Sequence, residues 1–171
     1  MVPGTASSAS LKLEFRLRPH AGIVSVVRRF VEERCAKLGG DPGSVSRVTM
    51  ATHELLENAA KYSVGEYVHL KVEFNASCDS IRTQLTNETT PVHRARLRER
   101  IRLLQNAQES FDLYQTLMRR SFEAGEESGL GLARICSEGE LALAMGESEN
   151  TVTIVAHSHP PRDSQDGCAL A

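Results

Sequence analysis

Three polar residues near the middle of the chain have types and spacing that could support catalysis or binding. Glu54, Asn58 and Lys61 are separated by four and three positions, so an α-helix would place them on one stripe. A carboxylate can act as a general base, an amide oxygen can bind a metal ion, and an ammonium group can bind phosphate. The same spacing occurs on solvated helix faces, where such polar pairs contribute only about 0.2–0.5 kcal/mol. The row alone leaves both interpretations open.

The helix that carries this row is predicted to begin at Asp41-Pro42 or at Ser44 and to end near Ser63. An acidic or hydroxyl cap followed by an early proline is typical of helix starts. Apolar residues recur at three- and four-residue steps, which predicts a face that packs on the core. These residues are Val45, Val48, Leu55, Ala59 and Tyr62.

A second informative stretch is Gly129-Leu130-Gly131-Leu132, which opens a short apolar helix. Two glycines at a helix start let the backbone approach a phosphate closely, and the free N–H groups of the first turn attract an anion. Taken alone the pattern is weak, because it also occurs in ordinary turns. It is not a dinucleotide-binding fingerprint, since it lacks a third glycine and a strand directly before it.

The order of alternating and helical segments predicts the fold class. Strict alternation predicts strands at 11–17, 68–74, 81–85, 141–145 and 152–156, with helices between the first and second strands and between the third and fourth. This order favours an α/β (α+β) two-layer sandwich: a mixed, mostly antiparallel sheet with helices on one face. We expect a single domain over 1–158, with a helical insert at about 88–125 and a flexible tail over 159–171.

Composition excludes several classes of function. A net charge of −2 over 171 residues argues against a general nucleic-acid binder, and no apolar run approaches the length that a membrane helix needs. The four cysteines form no CxxC pair, which suits a reducing compartment and indicates no cysteine metal site. The start of the chain has no apolar signal core, so we expect a cytoplasmic protein with no membrane partner.

The Glu54–Asn58–Lys61 helix, the two strands after it, the helical segment and the glycine box together resemble the GHKL-type ATPase superfamily. The resemblance covers about 11–156. It is closest to the small serine/threonine kinases of bacterial partner-switching systems, which act as anti-sigma factors or as kinases of anti-sigma antagonists. It implies ATP and magnesium as cofactors and a small regulatory protein as partner, and it is compatible with a homodimer.

The resemblance also implies roles for individual residues. Glu54 would activate the attacking group, and Asn58 would bind magnesium. Lys61 would lie near phosphate, and the box from Gly129 to Leu132 would follow the phosphates. Such a set suits phosphoryl transfer, which depends mainly on positioning and on neutralising charge.

One motif of that superfamily is altered here. Its D-x-G-x-G box, whose Asp reads the adenine amino group, is replaced by Asn87-Glu88-Thr89-Thr90-Pro91, without either glycine. An amide oxygen can still accept the adenine hydrogen bond, but the turn has lost the freedom for positive φ. A SiaB-like subgroup is similar here, with an Asn at this point, a long helical connector and a GLGL box. We expect ATP binding and kinase activity; the alternative is a non-catalytic module that sequesters its partner.

The predicted insert carries a basic row: Arg94, Arg96, Arg98, Arg100 and Arg102. The row is either a solvated face, or a contact for an acidic partner or for the nucleotide phosphates. Nucleic acid is not expected, because no aromatic residues interleave with the arginines for stacking. Apolar stripes on the same segment predict two packing faces. One comprises Leu97, Ile101 and Leu104, and the other comprises Phe111, Tyr114, Leu117 or Met118, and Phe122.

Two motifs that are typical of histidine chemistry are incomplete in this sequence. His53-Glu54 is similar to the phosphoacceptor box of sensor kinases, but the proline expected after it is missing. The same stretch lacks the second histidine of a zinc-binding helix. Neither a phosphohistidine nor a zinc site is predicted.

Overall fold

The computed structural model describes residues 10–106 and 130–158. These residues form five strands and four helices. In chain order the elements are β1 (Ser10–Leu17), α1 (Ala21–Lys37), α2 (Pro42–Tyr62), β2 (Val68–Asn75), β3 (Ser80–Glu88), α3 (Pro91–Asn106), α4 (Leu130–Ser137), β4 (Leu141–Ser148) and β5 (Thr151–Ser158).

The five strands form one sheet in the order β1-β2-β3-β5-β4. Every neighbouring pair in it is antiparallel. The pairs β2–β3 and β4–β5 are adjacent in sequence. The two-layer α+β class predicted from the sequence is confirmed, and the described part of the sheet contains no parallel pair.

The alternation of the strands places one face of the sheet against the helices. On β2, Val68, Leu70, Val72 and Phe74 are buried, whereas the residues between them are exposed or half-buried. The register places Leu85 of β3 opposite Leu70, so the two strands bury the same face. Helices α2, α3 and α4 pack on this layer, and α1 packs on α2. The hydrophobic core therefore lies between the sheet and the helices.

Helix α2, which carries the candidate site, is fixed at both ends. As predicted, Asp41 is its N-cap: its carboxylate accepts hydrogen bonds from the backbone N–H of Gly43 at 2.9 Å and of Ser44 at 3.1 Å. At the other end, Thr89 donates its hydroxyl to the carbonyl of Tyr62 at 3.0 Å. This bond ties the end of α2 to the segment that follows β3.

Helix α1 buries a single stripe, formed by Val24, Val27, Val31 and Cys35. Beyond its C-cap, Gly39 adopts a φ of +88°, the left-handed conformation predicted for the Gly39-Gly40 stop. Among the helices of the described residues, none is long and apolar enough to cross a membrane.

The helix that opens the predicted insert begins a few residues after the approximate boundary at 88. Strand β3 continues through Glu88, because Asn87 pairs with Val152 of β5, and α3 begins only at Pro91. Leu97, Ile101 and Leu104 are buried in the core, which confirms the first apolar stripe. The second stripe (Phe111, Tyr114, Leu117 or Met118, and Phe122) and the predicted tail over 159–171 lie outside the described residues.

Candidate functional site

The Glu54 carboxylate lies where α2 meets α4. The residue is only 8% exposed, and its Oε1 accepts a hydrogen bond from Arg134 Nη1 at 2.6 Å. Burial raises the pKa of Glu54, while the Arg134 guanidinium acts in the opposite direction. A buried carboxylate with a raised pKa beside a cation is a candidate proton acceptor.

Gly131 lies directly against this carboxylate. A Cβ at position 131 would come within 2.2 Å of Glu54 Oε2 and within 3.1 Å of its Cδ. The absence of a side chain therefore lets the first turn of α4 approach the acid. The structure thus brings together Glu54 and Gly131, two residues that the sequence predicted to share one site although they are distant in the chain.

Asn58, one turn beyond Glu54, lines a cleft between α2, α3 and α4. The cleft has a volume of about 580 Å³, within the usual range for small-molecule sites. Leu132 of the predicted glycine box lines it as well. Its other lining residues are Tyr62, His93, Ala95, Arg96, Leu97, Glu99, Arg100 and Leu103.

An aromatic stack forms part of this cleft. The rings of Tyr62 and His93 are parallel within 16°, with centroids 3.9 Å apart. Tyr62, predicted as a core residue, is half-buried and faces the cleft. The Nε2 atom of His93 is buried and has no hydrogen-bond partner among the described residues. Burial lowers the pKa of His93, and the nearby Arg96 charge lowers it further. The imidazole therefore favours its neutral form.

Asn87 occupies the end of β3 on the face covered by the helices. It is 3% exposed, and its Nδ2 donates a hydrogen bond to the Glu88 carbonyl at 3.1 Å. Its Oδ1 is buried without a hydrogen-bond partner in the described part of the chain. An unpaired buried acceptor is the group that an adenine amino group would satisfy. Asn87 is not among the described residues that line the cleft, and because it is buried a base reaches it only if neighbouring side chains move.

The remaining predicted site residues are placed differently. Lys61 is exposed at the end of α2, with its Nζ 3.6 Å from Glu57 Oε2, and it lies outside the described residues that line the cleft. Leu130 is the half-buried first residue of α4. Gly129 lies outside the described residues.

A second depression, between α1 and α2, reaches Glu54 from the other side. This groove has a volume of about 810 Å³, and Thr49, His53, Glu54 and Arg134 are among its lining residues. Thr49 Oγ1 and His53 Nδ1 are buried without hydrogen-bond partners in residues 10–106 and 130–158. Glu54 borders this groove, whereas Asn58 borders the cleft. The candidate base therefore lines the groove, and the candidate magnesium ligand one turn later lines the cleft.

The oxygen atoms available near the cleft suit a magnesium ion that is bound jointly by the protein and by the phosphates of a substrate. Among the described residues, no three His, Cys, Asp or Glu side chains cluster as ligands for a metal ion. Magnesium is commonly held by one or two protein oxygens, with substrate phosphates and water completing its shell. Asn58 borders the cleft and carries an amide oxygen, so this side chain fits such a shared site.

Sequence reasoning missed Arg134 and the cleft-lining pair of Tyr62 and His93. Arg134 lies three positions after Gly131, so both face the same side of α4, and this spacing was a usable signal. The Tyr62–His93 stack joins residues on two separate helices, and no local pattern predicts it.

Comparison with known proteins identifies the fold. No family model and no curated protein matches the chain. A chain in the crystal structure of the SiaB–SiaC complex from Pseudomonas aeruginosa matches with a TM-score of 0.63 at 15% identity, covering 85% of this chain and 88% of that one. The RsbU and RsbW domains of Rv1364c from Mycobacterium tuberculosis match with a TM-score of 0.52 at 11% identity, covering 91% of this chain and 35% of that one. The chain therefore shares the fold found in these two structures, and the predicted resemblance is confirmed at the level of fold.

Proposed function

We propose that this protein is an ATP-binding regulatory serine/threonine protein kinase of a bacterial partner-switching system. One observation carries the proposal: a buried Glu54 with a raised pKa packs against Gly131, one helical turn from an asparagine that lines a ligand-sized cleft. The SiaB/RsbW-like fold supports the same assignment. The cytoplasm remains the proposed location.

In this proposal the nucleotide occupies the cleft between α2, α3 and α4. Asn58 holds the magnesium ion, and the first turn of α4 at Gly131 faces the phosphates with its backbone N–H groups. The unpaired Oδ1 of Asn87 accepts a hydrogen bond from the adenine amino group. Bound magnesium–ATP supplies the phosphoryl group and neutralises its charge.

Glu54 is proposed to accept the proton of the acceptor hydroxyl. Burial makes this carboxylate more basic than an exposed one, while Arg134 favours its ionised form and fixes its orientation. The hydroxyl oxygen would attack the γ-phosphorus of ATP while its proton passes to a Glu54 carboxylate oxygen, and ADP would leave with the bridging oxygen. A general base in such a position contributes about 10²–10⁴ in rate.

The proposed partner is a small regulatory protein that presents a serine or threonine. A chain of this fold occurs in a complex named for two proteins, SiaB and SiaC. In this protein the groove between α1 and α2 would give a segment of the partner access to Glu54, while the nucleotide occupies the opposite side.

A second candidate is a non-catalytic module that binds and sequesters a regulatory protein. Two observations favour it: Asn87 is covered at 3% exposure, and Glu54 already makes a close ion pair with Arg134. A protein of this kind would bind its partner with the same affinity whether or not Glu54 carries a charge.

Transfer of the labelled γ-phosphate of ATP to a protein acceptor separates the two candidates. Glu54→Gln keeps the shape of the side chain and should lower the transfer rate by about 10²–10⁴. Glu57→Gln, on the same helix but half-buried and paired with His53 and Lys61, is the matched control and should retain activity. Equal transfer by Glu54→Gln and the wild type would refute the catalytic role. Nucleotide binding without any transfer by the wild type would favour the sequestering module.

A further inference from the structure

The structure divides the basic row of α3 into two groups. Arg98 donates to both oxygens of Glu147, at 2.7 Å from Nε and 2.6 Å from Nη2. Arg94 donates to the carbonyl of Ser148 at 3.3 Å. These two side chains hold α3 against the β4–β5 hairpin, and neither is among the described residues that line the ligand cleft. Arg102 instead forms a bidentate pair with Glu99 on its own helix.

Arg96 and Arg100 belong to the other group. They are four positions apart on α3, so they lie one above the other, and both line the cleft opposite Asn58. Glu99 also lines the cleft, but both of its carboxylate oxygens accept hydrogen bonds from Arg102. Its charge is therefore partly neutralised before any ligand binds. The α3 side of the cleft therefore presents two guanidinium groups.

The other surfaces of the cleft indicate a ligand with an apolar part as well. Leu97, Leu103 and Leu132 supply aliphatic surface, and the Tyr62–His93 stack supplies a flat aromatic surface. Burial lowers the pKa of His93 and the Arg96 charge lowers it further, which places this guanidinium group near the aromatic stack. A cleft that combines two guanidinium groups with aromatic and aliphatic surface suits a nucleotide better than a simple anion.

We propose that Arg96 and Arg100 bind the phosphate groups of the nucleotide in this cleft, in place of Lys61. The inference rests on the proposed function, since it names the residues that hold the ligand of that site. Guanidinium groups present several N–H donors in a fixed plane and match phosphate oxygens in pairs. Lys61 pairs instead with Glu57 on an exposed face of α2.

Isothermal titration calorimetry with three probes tests the assignment: magnesium–ATP, adenosine and inorganic pyrophosphate. The double variant Arg96→Gln/Arg100→Gln should bind ATP and pyrophosphate at least about tenfold more weakly, because each lost charge-assisted hydrogen bond is worth about a factor of ten or more. Its affinity for adenosine should change less than about twofold. Arg98→Gln removes the same charge from the same helix outside the cleft, and should leave all three affinities near those of the wild type.

The wild-type protein provides a further measurement that does not depend on how a variant folds. Raising the salt concentration should weaken binding of ATP and of pyrophosphate, but not of adenosine, because salt screens the arginine–phosphate attraction. The single variant Arg96→Gln, at an exposed position, should show at least half of the loss of ATP and pyrophosphate affinity expected for the double variant.

The possible results separate this inference from the proposed function. If the wild type binds ATP and the double variant binds it equally well, the inference is wrong while the proposed function stands. If the wild type binds pyrophosphate through these arginines but does not bind ATP, the anion site stands and the proposed nucleotide function fails. If the wild type binds none of the probes, both fail, and an acidic segment of a partner protein becomes the better occupant of the cleft.

Discussion

Arg134 Nη1 donates a hydrogen bond to Glu54 Oε1 at 2.6 Å and links α4 to the buried face of α2. The same guanidinium group also lies 3.3 Å from Glu138 through its Nη2. Burial and Arg134 act on the Glu54 carboxyl in opposite directions, with burial the larger effect. Among the charged groups near Glu54, Arg134 has the largest effect on its pKa.

Removal of that cation should make Glu54 harder to ionise. In Arg134→Gln we expect the pKa of Glu54 to rise further, because burial then acts with less opposition. The acid limb of the pH–rate profile for phosphoryl transfer should move to higher pH. The other charged groups that act on Glu54 are His53, Glu57 and Lys61 on α2, and they are unchanged in this variant.

The same substitution has an effect on stability that does not require kinase activity. A carboxyl whose folded pKa lies above its unfolded value contributes stability below the unfolded pKa and loses it as pH rises through the folded pKa. The free energy of unfolding of Arg134→Gln should therefore fall below that of the wild type at neutral pH, and the two should converge in acid. Glu138→Gln is the control, since it leaves the Glu54 contact intact. A difference between Arg134→Gln and the wild type that does not depend on pH would mean that Arg134 acts only through packing.

Gly131→Ala should disturb the site by steric contact. The new Cβ would lie 2.2 Å from Glu54 Oε2, so the carboxylate has to move and weaken its bond to Arg134. We expect a loss of about 1–3 kcal/mol in stability, as for other overpacked sites, together with slower phosphoryl transfer. Gly146→Ala is the matched control, because nothing lies within 4 Å of its added Cβ.

A double-mutant cycle identifies the cause of the stability loss in Gly131→Ala. The cost of Gly131→Ala in unfolding free energy should shrink when Glu54 is already alanine, since the clashing oxygen is then absent. An equal cost in both backgrounds would show that Gly131 is required for a reason other than its contact with Glu54.

Asn87→Leu should separate nucleotide recognition from folding. The substitution removes a buried oxygen without a partner in the described residues, together with the hydrogen bond from Nδ2 to the Glu88 carbonyl. The ligand-free protein should therefore lose no more than about 1.5 kcal/mol of stability, the value of one hydrogen bond. Affinity for ATP should fall by about tenfold, the value of one hydrogen bond to the adenine amino group. Affinity for GTP, which lacks that amino group, should change much less.

Thr83→Val provides the comparison for this prediction. Thr83 lies on the same face of β3, and its buried Oγ1 likewise has no partner among the described residues. The valine variant should bind ATP as the wild type does. If Asn87→Leu also left ATP binding unchanged, Asn87 would not be the residue that reads adenine.

Local sequence patterns were sufficient to predict most of the fold. Alternation predicted every strand in the described sheet, and the Asp41 cap and the three- and four-residue apolar steps predicted α2. The end of β3 was missed because Thr86, Asn87 and Glu88 are polar and form a strand only through pairing with β5, which follows much later in the chain.

The site was predictable only in part, for a similar reason. Helical spacing placed Glu54 and Asn58 on neighbouring parts of α2. The glycine box predicted that the backbone there could approach a phosphate group closely. Lys61 shares the spacing, but its long side chain lies in solvent beside Glu57. The positive charge in the cleft comes instead from Arg96 and Arg100 on α3, and which side of a basic helix faces a ligand is decided by tertiary packing.

The most direct test of the central claim is the thermal unfolding of the wild-type protein with and without magnesium–ATP. A ligand that binds only the folded state stabilises it by about 2.7 kcal/mol at a concentration 100 times its dissociation constant. For a protein of this size that corresponds to a rise of roughly 5–10 °C in Tm. We predict such a rise with magnesium–ATP and a smaller one with ATP in the presence of a chelator. An unchanged Tm at millimolar magnesium–ATP, together with no heat of binding in calorimetry, would contradict the assignment of a nucleotide site to this fold.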